Sequence, residues 1–226
     1  MDSPIFKAID KRDHGRLRQV LLAKPELSEQ ANDEGVRPIL YALYHSNKVA
    51  VETILAVGPA LTVFEAAALG DVERLAELIA GSPDLKDSYT PDGHSVLGLA
   101  CFFGQLEAAR LLLRSGADAN AVSRNEMGVS AIHAASAADR SDIVALLIES
   151  GADVNARQQR DFTALHAAAQ HGNAEMARML LEAGADSGAV TNEGKAAADL
   201  AAQHGHDEVL TLVTLRTEGK VWPLRG

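Results

Sequence analysis

Eight histidines and one cysteine are the side chains of this sequence best suited to bind a metal or to act as a base or nucleophile. A structural zinc site needs four such ligands, usually as two closely spaced pairs. His204 and His206 form one pair around Gly205, but no second pair stands at ligand spacing. We therefore expect no metal site.

The other candidates for chemistry also have structural interpretations. Cys101 lies in a run of small and apolar residues, where we expect a buried thiol rather than the exposed, low-pKa thiol of a nucleophile. Asp118, Asp153 and Asp186 recur singly in loop positions, where each can bond nearby amides. No glycine-rich nucleotide motif and no serine-nucleophile motif occurs. We expect no catalytic residue, no cofactor and no small-molecule substrate.

The composition limits the class of partner and the kind of core. The chain has 31 Asp and Glu against 21 Lys and Arg, a formal net charge of -10. Nucleic-acid binding needs a concentrated basic surface to neutralise phosphates, and the sequence contains none, so we expect no nucleic-acid partner. Aromatic residues make up only 4% of the chain, whereas Ala, Leu and Gly are abundant. This composition favours many small, closely packed helices over one large core.

Cysteine content and hydropathy predict the compartment. A single cysteine cannot form an internal disulfide, and the N-terminus lacks the basic and apolar segments of a secretory signal, so we expect a cytoplasmic protein. The most apolar window, Val49–Gly70, is interrupted by Glu52, Pro59 and Glu65. We expect no membrane-spanning helix and no membrane partner.

Two short strings recur along the chain in one phase. The string Gly-Ala-Asp begins at residues 116, 151 and 184, at steps of 35 and 33 residues. The second string is Ser-Ala-Ile-His at 130–133, Thr-Ala-Leu-His at 163–166 and, in degenerate form, Ala-Ala-Ala-Asp at 196–199. Both of its steps are 33 residues. Two independent strings with one period indicate a structural repeat.

These strings resemble the TPLH and GADVN signatures of the ankyrin-repeat family, whose repeat is about 33 residues long. The resemblance covers nearly the whole chain. It implies an all-α solenoid of helix–turn–helix units that are joined by hairpin-like loops, here called fingers. It also implies that the protein binds other proteins and has no catalytic activity.

Each signature residue has a physical role in such a unit. The Ser or Thr caps the first helix by accepting a hydrogen bond from an early backbone N–H, and a proline can follow it, as in Ser3-Pro4. In the family the histidine of the second string is buried and ties the turn together, which implies structural roles for His133 and His166. The glycine of Gly-Ala-Asp ends the second helix in a left-handed conformation.

Extending the register outward predicts one repeat domain, residues 1–226, with seven units and a short tail. The units lie near residues 2–34, 35–60, 61–92, 93–127, 128–160, 161–193 and 194–218, and the tail is 219–226. The first two units and the seventh lose most signature residues, as expected of end units that have solvent on one side. We expect the chain to be a monomer when it is alone.

The spacing of the units is irregular in two places. The second and third units start near residues 37 and 61, a step roughly nine residues short of the repeat. Gly58-Pro59 ends one helix and a capping box from Thr62 to Glu65 begins the next, so a finger is predicted to be missing. We expect a gap in the binding edge there, followed by a large first finger over Gly81–Gly93.

The resemblance also implies that partner-binding residues lie at the fingertips and on the concave face of the first helices, where the core does not fix residue identity. Phe102 and Phe103 are two large rings at such positions, and an exposed apolar patch marks an interaction site. The alternative is that one ring turns inward beside Cys101. The candidate residues, chiefly aromatic and Arg side chains that anchor interfaces, are Tyr41, Tyr44, Tyr89, Asp92, His94, Phe102, Phe103, Arg124, Met127, Arg157, Arg160, Phe162 and His171.

Three functions fit such a chain to different degrees. It is a scaffold that binds a partner protein, a structural protein that associates with itself, or a regulatory subunit of an enzyme. Repeats account for nearly every stretch and leave no residues for an active site, so we favour the scaffold. We expect its main binding surface between the third and sixth units, and the sequence does not identify the partner.

Overall fold

The computed structural model describes residues 3–217, which form fourteen α-helices in seven consecutive pairs and no β-strand. The first helices of the pairs are α1 (Pro4–Asp10), α3 (Pro38–Tyr44), α5 (Val63–Leu69), α7 (Val96–Phe102), α9 (Ala131–Ala137), α11 (Ala164–His171) and α13 (Ala197–His204). The second helices are α2 (His14–Ala23), α4 (Lys48–Leu55), α6 (Val72–Gly81), α8 (Leu106–Arg114), α10 (Ser141–Glu149), α12 (Ala174–Glu182) and α14 (Asp207–Thr217). This is the all-α repeat solenoid that the resemblance implies.

One helix pair lies within each of the seven units delimited from the sequence. The proposed tail, residues 219–226, lies outside the described residues. Short 3₁₀ helices follow α2 at Pro25–Ser28 and α6 at Pro83–Asp87. Gln159–Asp161 forms a tight turn in which Arg160 and Asp161 have positive φ. No helix within residues 3–217 is long and apolar enough to cross a bilayer.

The helices are held by packing between neighbouring units. They contain 7 to 11 residues, shorter than the roughly 12 to 15 that an isolated helix needs. The first helices bury alanines on several sides, as at Ala66, Ala67 and Ala168, and such small side chains let successive helices approach closely. The second helices add one apolar face, for example Leu75 on α6 and Leu112 on α8. Each buried Leu stabilises the fold by about 2 kcal/mol.

Two histidines join the start of one unit to the loop that leads into the next. The backbone N–H of Ser130 donates to His133 Nδ1 at 3.3 Å, so this nitrogen is unprotonated and Nε2–H donates to the Ala156 carbonyl at 2.9 Å. His166 repeats the arrangement with Thr163 and the Lys195 carbonyl. The predicted buried, structural role of both histidines is confirmed.

The capping prediction holds for only some units. Ser95 Oγ accepts from the Gly98 N–H and Thr62 Oγ1 from the Glu65 N–H, as expected. At Ser130 and Thr163, however, the hydroxyl bonds to the imidazole Nδ1 at 2.9 and 2.8 Å. In both units the Nδ1 of the histidine three residues later accepts from the backbone N–H of the Ser or Thr. The hydroxyl of the same Ser or Thr bonds to this nitrogen instead of capping the helix.

The fingers are tight loops, each closed by a backbone hydrogen bond near its tip. Finger A (residues 32–36) precedes α3, and isolated β-bridges delimit the other four. These are finger B (Tyr89–Ser95), finger C (Val122–Ser130), finger D (Gln158–Phe162) and finger E (Val190–Ala196).

The prediction of a large first finger over Gly81–Gly93 is wrong in two respects. Gly81 is the last residue of α6 and Pro83–Asp87 is a 3₁₀ helix packed against α6, so the added length does not extend finger B. Finger A already precedes it. The longest tip belongs to finger C, whose closing bond runs from Ser123 N–H to the Val129 carbonyl, whereas the bond in finger B runs from Thr90 to His94.

No finger stands between the second and third units, yet the expected gap does not form. The connection from α4 to α5 is only residues 56–62. Finger A lies directly against finger B: a Cβ added to Gly35 would be 2.8 Å from Pro91 Cβ. Gly35 has φ +79°, and only a residue without a side chain fits both this conformation and this approach.

Charged residues replace the missing finger. Arg37 Nη1 donates to Glu65 Oε2 at 2.9 Å and to the Ala60 carbonyl at 3.1 Å. The Ala60 N–H donates to Glu29 Oε1 at 2.9 Å, and the Thr62 N–H donates to Glu65 Oε2 at 2.8 Å. We call Glu29, Arg37 and Glu65 the junction clamp, because they fasten the connection to three units.

The junction clamp is a buried ion pair whose removal should destabilise the chain. We expect Arg37→Ala to lower the free energy of unfolding by about 3 kcal/mol, because it leaves the fully buried Glu65 carboxylate without its cation. Burial already raises the pKa of Glu65. Losing Arg37 raises this pKa further, so the deficit should shrink as the pH falls and Glu65 becomes protonated.

Urea unfolding of wild type and variant at neutral and acidic pH measures both effects. Arg74→Ala is the matched control, because Arg74 pairs with Glu77 on the surface at 3.0 Å and should cost less than about 1 kcal/mol. Equal losses for the two variants would show that the clamp does not stabilise the junction.

The two buried histidines should make stability depend on pH. Burial lowers the pKa of His133 and of His166 below the usual value of about 6.5. Their stabilising contribution is therefore complete above about pH 6.5 and is lost as the pH falls, because the unfolded chain takes up protons that the folded chain refuses. Over one pH unit the loss is up to roughly 1.4 kcal/mol for each histidine.

Unfolding titrations between about pH 7.5 and 5.5 check this expectation. In the double variant His133→Gln/His166→Gln, the free energy of unfolding should not show the decrease that these two histidines cause as the pH falls. Glu65 acts in the opposite direction, because its raised pKa favours the folded state as the pH falls. A double variant that retained the whole slope of the wild type would contradict the assignment.

Candidate binding surface

Fingers B to E form a continuous ridge that is fastened by backbone hydrogen bonds. The Arg124 N–H donates to the Gly93 carbonyl at 2.8 Å, the Gln159 N–H to Met127 at 2.8 Å, and the Asn192 N–H to Arg160 at 2.9 Å. Pro91 occupies the equivalent place in finger B but has no N–H to donate. Finger A therefore meets the ridge through the van der Waals contact of Gly35 with Pro91.

Five of the candidate residues come together where the short junction meets the ridge. The rings of Tyr44 and Phe103 stack with centroids 6.1 Å apart, and Phe102 meets Phe103 edge to face at 5.3 Å. From finger B, His94 lies 6.2 Å from the Tyr44 ring, and its Nε2 is 3.8 Å from Asp92 Oδ2. Burial, followed by the negative charge of Asp92, raises the pKa of Tyr44.

The two adjacent phenylalanines have different environments. Phe102 is 48% exposed at the end of α7. Phe103 is half-buried against a small cluster of Val36, Leu40, Ala68 and Leu99, which joins the cores on either side of the junction. Phe103 thus turns partly inward, but onto this cluster and not onto the core cluster that contains Cys101, whereas Phe102 presents its ring to solvent.

Tyr41 lies apart from this group. Its hydroxyl donates to Asp10 Oδ1 at 2.6 Å, and its ring packs on Phe6 and His45. The hydrogen bond to Asp10, together with burial, raises the pKa of Tyr41 to about 12. These contacts tie the first unit to the second.

The outer side of the ridge carries the next candidates. The Arg124 guanidinium lies 3.9 Å above the Tyr89 ring, a cation–π contact that fixes finger C on finger B. Met127 is 43% exposed in the longer tip of finger C. Arg124 is also exposed, so both side chains are accessible to a partner.

The last four candidates lie toward the C-terminal end of the ridge. Arg157 donates to the Val190 carbonyl at 3.2 Å and lies 3.7 Å from Asp161, while Arg160 forms an ion pair with Glu193. Phe162 is half-buried, with its ring 5.2 Å from that of His166. His171 Nε2 lies 3.1 Å from the Ala137 carbonyl, which links two units at their helix turns.

Two exposed large apolar side chains of the ridge are missing from the sequence-based set. Val122 is 50% and Val190 is 44% exposed, and each begins a finger at the position that Tyr89 has in finger B. Alignment of the finger starts would have identified them. The sequence reasoning overlooked them because valine is expected in a core.

The side chains suited to chemistry have structural surroundings. Cys101 is fully buried, as predicted, and burial raises the pKa of its thiol. His206 Nε2 lies 3.2 Å from the Gln170 carbonyl, and its ring stacks on that of His204. Within residues 3–217 no group of three His, Cys, Asp or Glu side chains is placed to hold a metal ion.

A curated protein of known role shares part of this sequence. The chain is 36% identical over 87 residues to protein phosphatase 1 regulatory subunit 27 of Mus musculus. The aligned part covers 38% of this chain and 55% of the relative, so the chain spans about half the length of that protein.

Family models match the region from the third unit onward. The model for three copies of ankyrin repeats matches residues 63–158, and the model for many copies matches residues 147–201. The matches begin at the first residue of α5, directly after the junction, and end within α13. With its stacked helix pairs, its fingers and its buried Ser/Thr–His turns, this chain belongs to the ankyrin-repeat family.

Proposed function

We propose that this chain is a non-catalytic scaffold that holds a partner protein on the finger side of its third to sixth units. The observation that carries the proposal is Phe102, a large ring that is 48% exposed beside a ridge whose backbone is otherwise fixed. Ankyrin-repeat proteins bind other proteins. An exposed aromatic side chain on a rigid support is the usual anchor of a protein interface.

The residues of the candidate set have two kinds of role in this proposal. Phe102, Arg124 and Met127 are exposed and would contact the partner. Tyr44 and Phe103 support Phe102, because their stacked rings join the second unit to the end of α7. Fixed anchors lose little conformational entropy on binding, which favours affinity.

The placement of the reactive side chains supports a non-catalytic role. Cys101 has no solvent access, and His133 and His166 spend both ring nitrogens on structural hydrogen bonds. We propose the cytoplasm as the compartment, since a single thiol has no partner for an internal disulfide. The proposed partner is a protein rather than a nucleic acid, a membrane or a small molecule.

Binding of the partner should depend on the exposed ring of Phe102. We expect Phe102→Asp to reduce capture of the partner at least about tenfold, because it places a charge at the centre of an apolar contact. The measurement is an affinity pull-down with the full chain, followed by quantitative comparison of the specifically retained protein. Circular dichroism should show unchanged helicity, because the side chain lies at a helix end.

Leu22→Asp is the matched control, since Leu22 is 73% exposed on α2, outside the proposed surface. This variant should bind as wild type does. Equal retention of the partner by the Phe102 variant and the wild type would overturn the proposed surface.

A second candidate is a regulatory subunit of a phosphatase, which the similarity to the mouse protein favours. The shared 87 residues correspond to about two and a half repeats of this length. If the role is shared, this chain should bind protein phosphatase 1 directly and alter its rate of dephosphorylation. Calorimetric titration with the purified phosphatase is the measurement, and absence of heat at micromolar concentration rejects this candidate.

A further inference from the structure

A groove of about 420 Å³ lies between the last two fingers, apart from Phe102. Finger D and finger E form its walls, and α11 and α13 form its base. Its volume is within the range of roughly 300 to 1,000 Å³ that is usual for ligand clefts. Leu200, which is buried, and Phe162, which is half-buried, form an apolar patch in the lining.

Carboxamide side chains dominate the rim of this groove. Five of them line it: Gln158, Gln159, Gln170, Asn192 and Gln203. The Gln203 side chain accepts a hydrogen bond from Lys195 Nζ at 2.9 Å. Within residues 3–217 the other four side chains have no protein partner. Each therefore has a free donor and a free acceptor facing the groove or solvent.

Several carboxamides elsewhere in the solenoid fasten one unit to the next. Asn47 donates to the Ile9 carbonyl at 3.2 Å, Gln105 to Ala68 at 3.1 Å, and Asn120 to Gly151 at 3.1 Å. The groove carboxamides have no such structural role. Because these side chains do not hold the fold together, we ask which ligand could use their free donors and acceptors.

The charges around the groove are almost balanced. Arg160 is paired with Glu193 across the two fingers. Lys195 is the lining cation that has no acidic partner among residues 3–217, since its hydrogen bond is to the neutral Gln203. The groove thus offers one site for a single negative charge, surrounded by neutral donors and acceptors.

We propose that this groove binds an extended peptide segment of the partner protein, with one acidic side chain of the segment placed at Lys195. An extended peptide presents free N–H and C=O groups on both edges, and a carboxamide can pair with both kinds of group. A helix has already bonded its backbone internally and would leave the carboxamides unused. Every second side chain of the segment would point into the groove, where one of them could reach the apolar patch of Leu200 and Phe162.

The same features disfavour a nucleic acid. A single strand carries a phosphate at every nucleotide and binds to grooves with several unpaired cations and stacking rings. Here Lys195 alone fills that role, and Phe162 is half-buried beside His166. The proposal rests on the protein-binding function, and it names the chemistry of the segment that the partner contributes.

Selection from a linear peptide library displayed on phage tests the groove directly. The full chain and the variant Gln159→Leu/Gln170→Leu are the two baits, because both glutamines are exposed and neither has a structural partner. We expect peptides that share an Asp or Glu at one position, and affinity at least about tenfold lower for the variant. Gln19→Leu on α2 is the control and should bind as wild type does.

Two changes then test the binding mode with a synthesised peptide from the selection. Methylation of successive backbone nitrogens should weaken binding at alternate positions, since it removes N–H donors from one edge at a time. Lys195→Glu should weaken binding of the acidic peptide and should favour a peptide with Lys at the same position. Both effects are read as shifts in the dissociation constant by fluorescence polarisation.

Several results overturn the groove proposal. The first is that the wild-type chain selects no linear peptide that it binds better than the Gln159→Leu/Gln170→Leu variant does. The second is that backbone methylation does not weaken peptide binding. The third is that an oligothymidylate displaces the peptide. If the Gln159→Leu/Gln170→Leu variant still retains the full-length partner while Phe102→Asp loses it, the groove proposal fails and the proposed function stands. If Phe102→Asp retains the partner and the peptides bind as expected, the groove proposal stands and the surface around Phe102 fails.

Discussion

Packing of each helix pair against its neighbours is the constraint on which the rest of this structure depends. A first helix of seven or eight residues is too short to be stable alone, and its alanines have value only when another helix covers them. The core therefore runs along the stack as one seam from Val63 to Val213, with a second seam from Ile5 to Ile54. Fingers and turns are positioned because the helices that flank them are fixed by this seam.

The junction between the second and third units shows how such a stack accommodates a deletion. Successive second helices pack together along the stack, but α4 and α6 have less contact than the other neighbouring pairs. The missing finger also removes one member of the row of fingers. Three substitutes hold the junction: the junction clamp, the stacked rings of Tyr44 and Phe103, and the close approach of Gly35 to Pro91. Buried charge thus stabilises this junction where apolar packing stabilises the others, and loss of either partner of the Arg37–Glu65 pair would leave the other charge buried alone.

The surfaces that remain free differ in chemistry along the ridge. Phe102 and Met127 offer apolar contact near the middle of the solenoid, while carboxamides and one lysine surround the groove near its C-terminal end. His166 lies behind the groove, since its ring packs against that of Phe162 and its Nε2 donates to the carbonyl of Lys195. A buried structural residue therefore sets the position of the groove's free cation. The residues that build the scaffold differ from those that would bind a partner, but contacts between the two sets hold the binding residues in place.

The sequence by itself determined the repeat, the helix pairs, the structural role of His133 and His166 and the burial of Cys101. Each of these features depends on residues that lie within one repeat of about 33 residues, such as those that begin and end its helices. Only the tertiary structure decided that Phe103 turns inward while Phe102 does not, that finger A closes the expected gap, and that the added length near Gly81 belongs to a 3₁₀ helix. The tertiary structure also brought together four carboxamides from two fingers and a helix, which the sequence places in two separate units. The physical reason is that these outcomes depend on the position of each unit relative to the next. That position is set by the packing of many side chains from both units and not by any single residue.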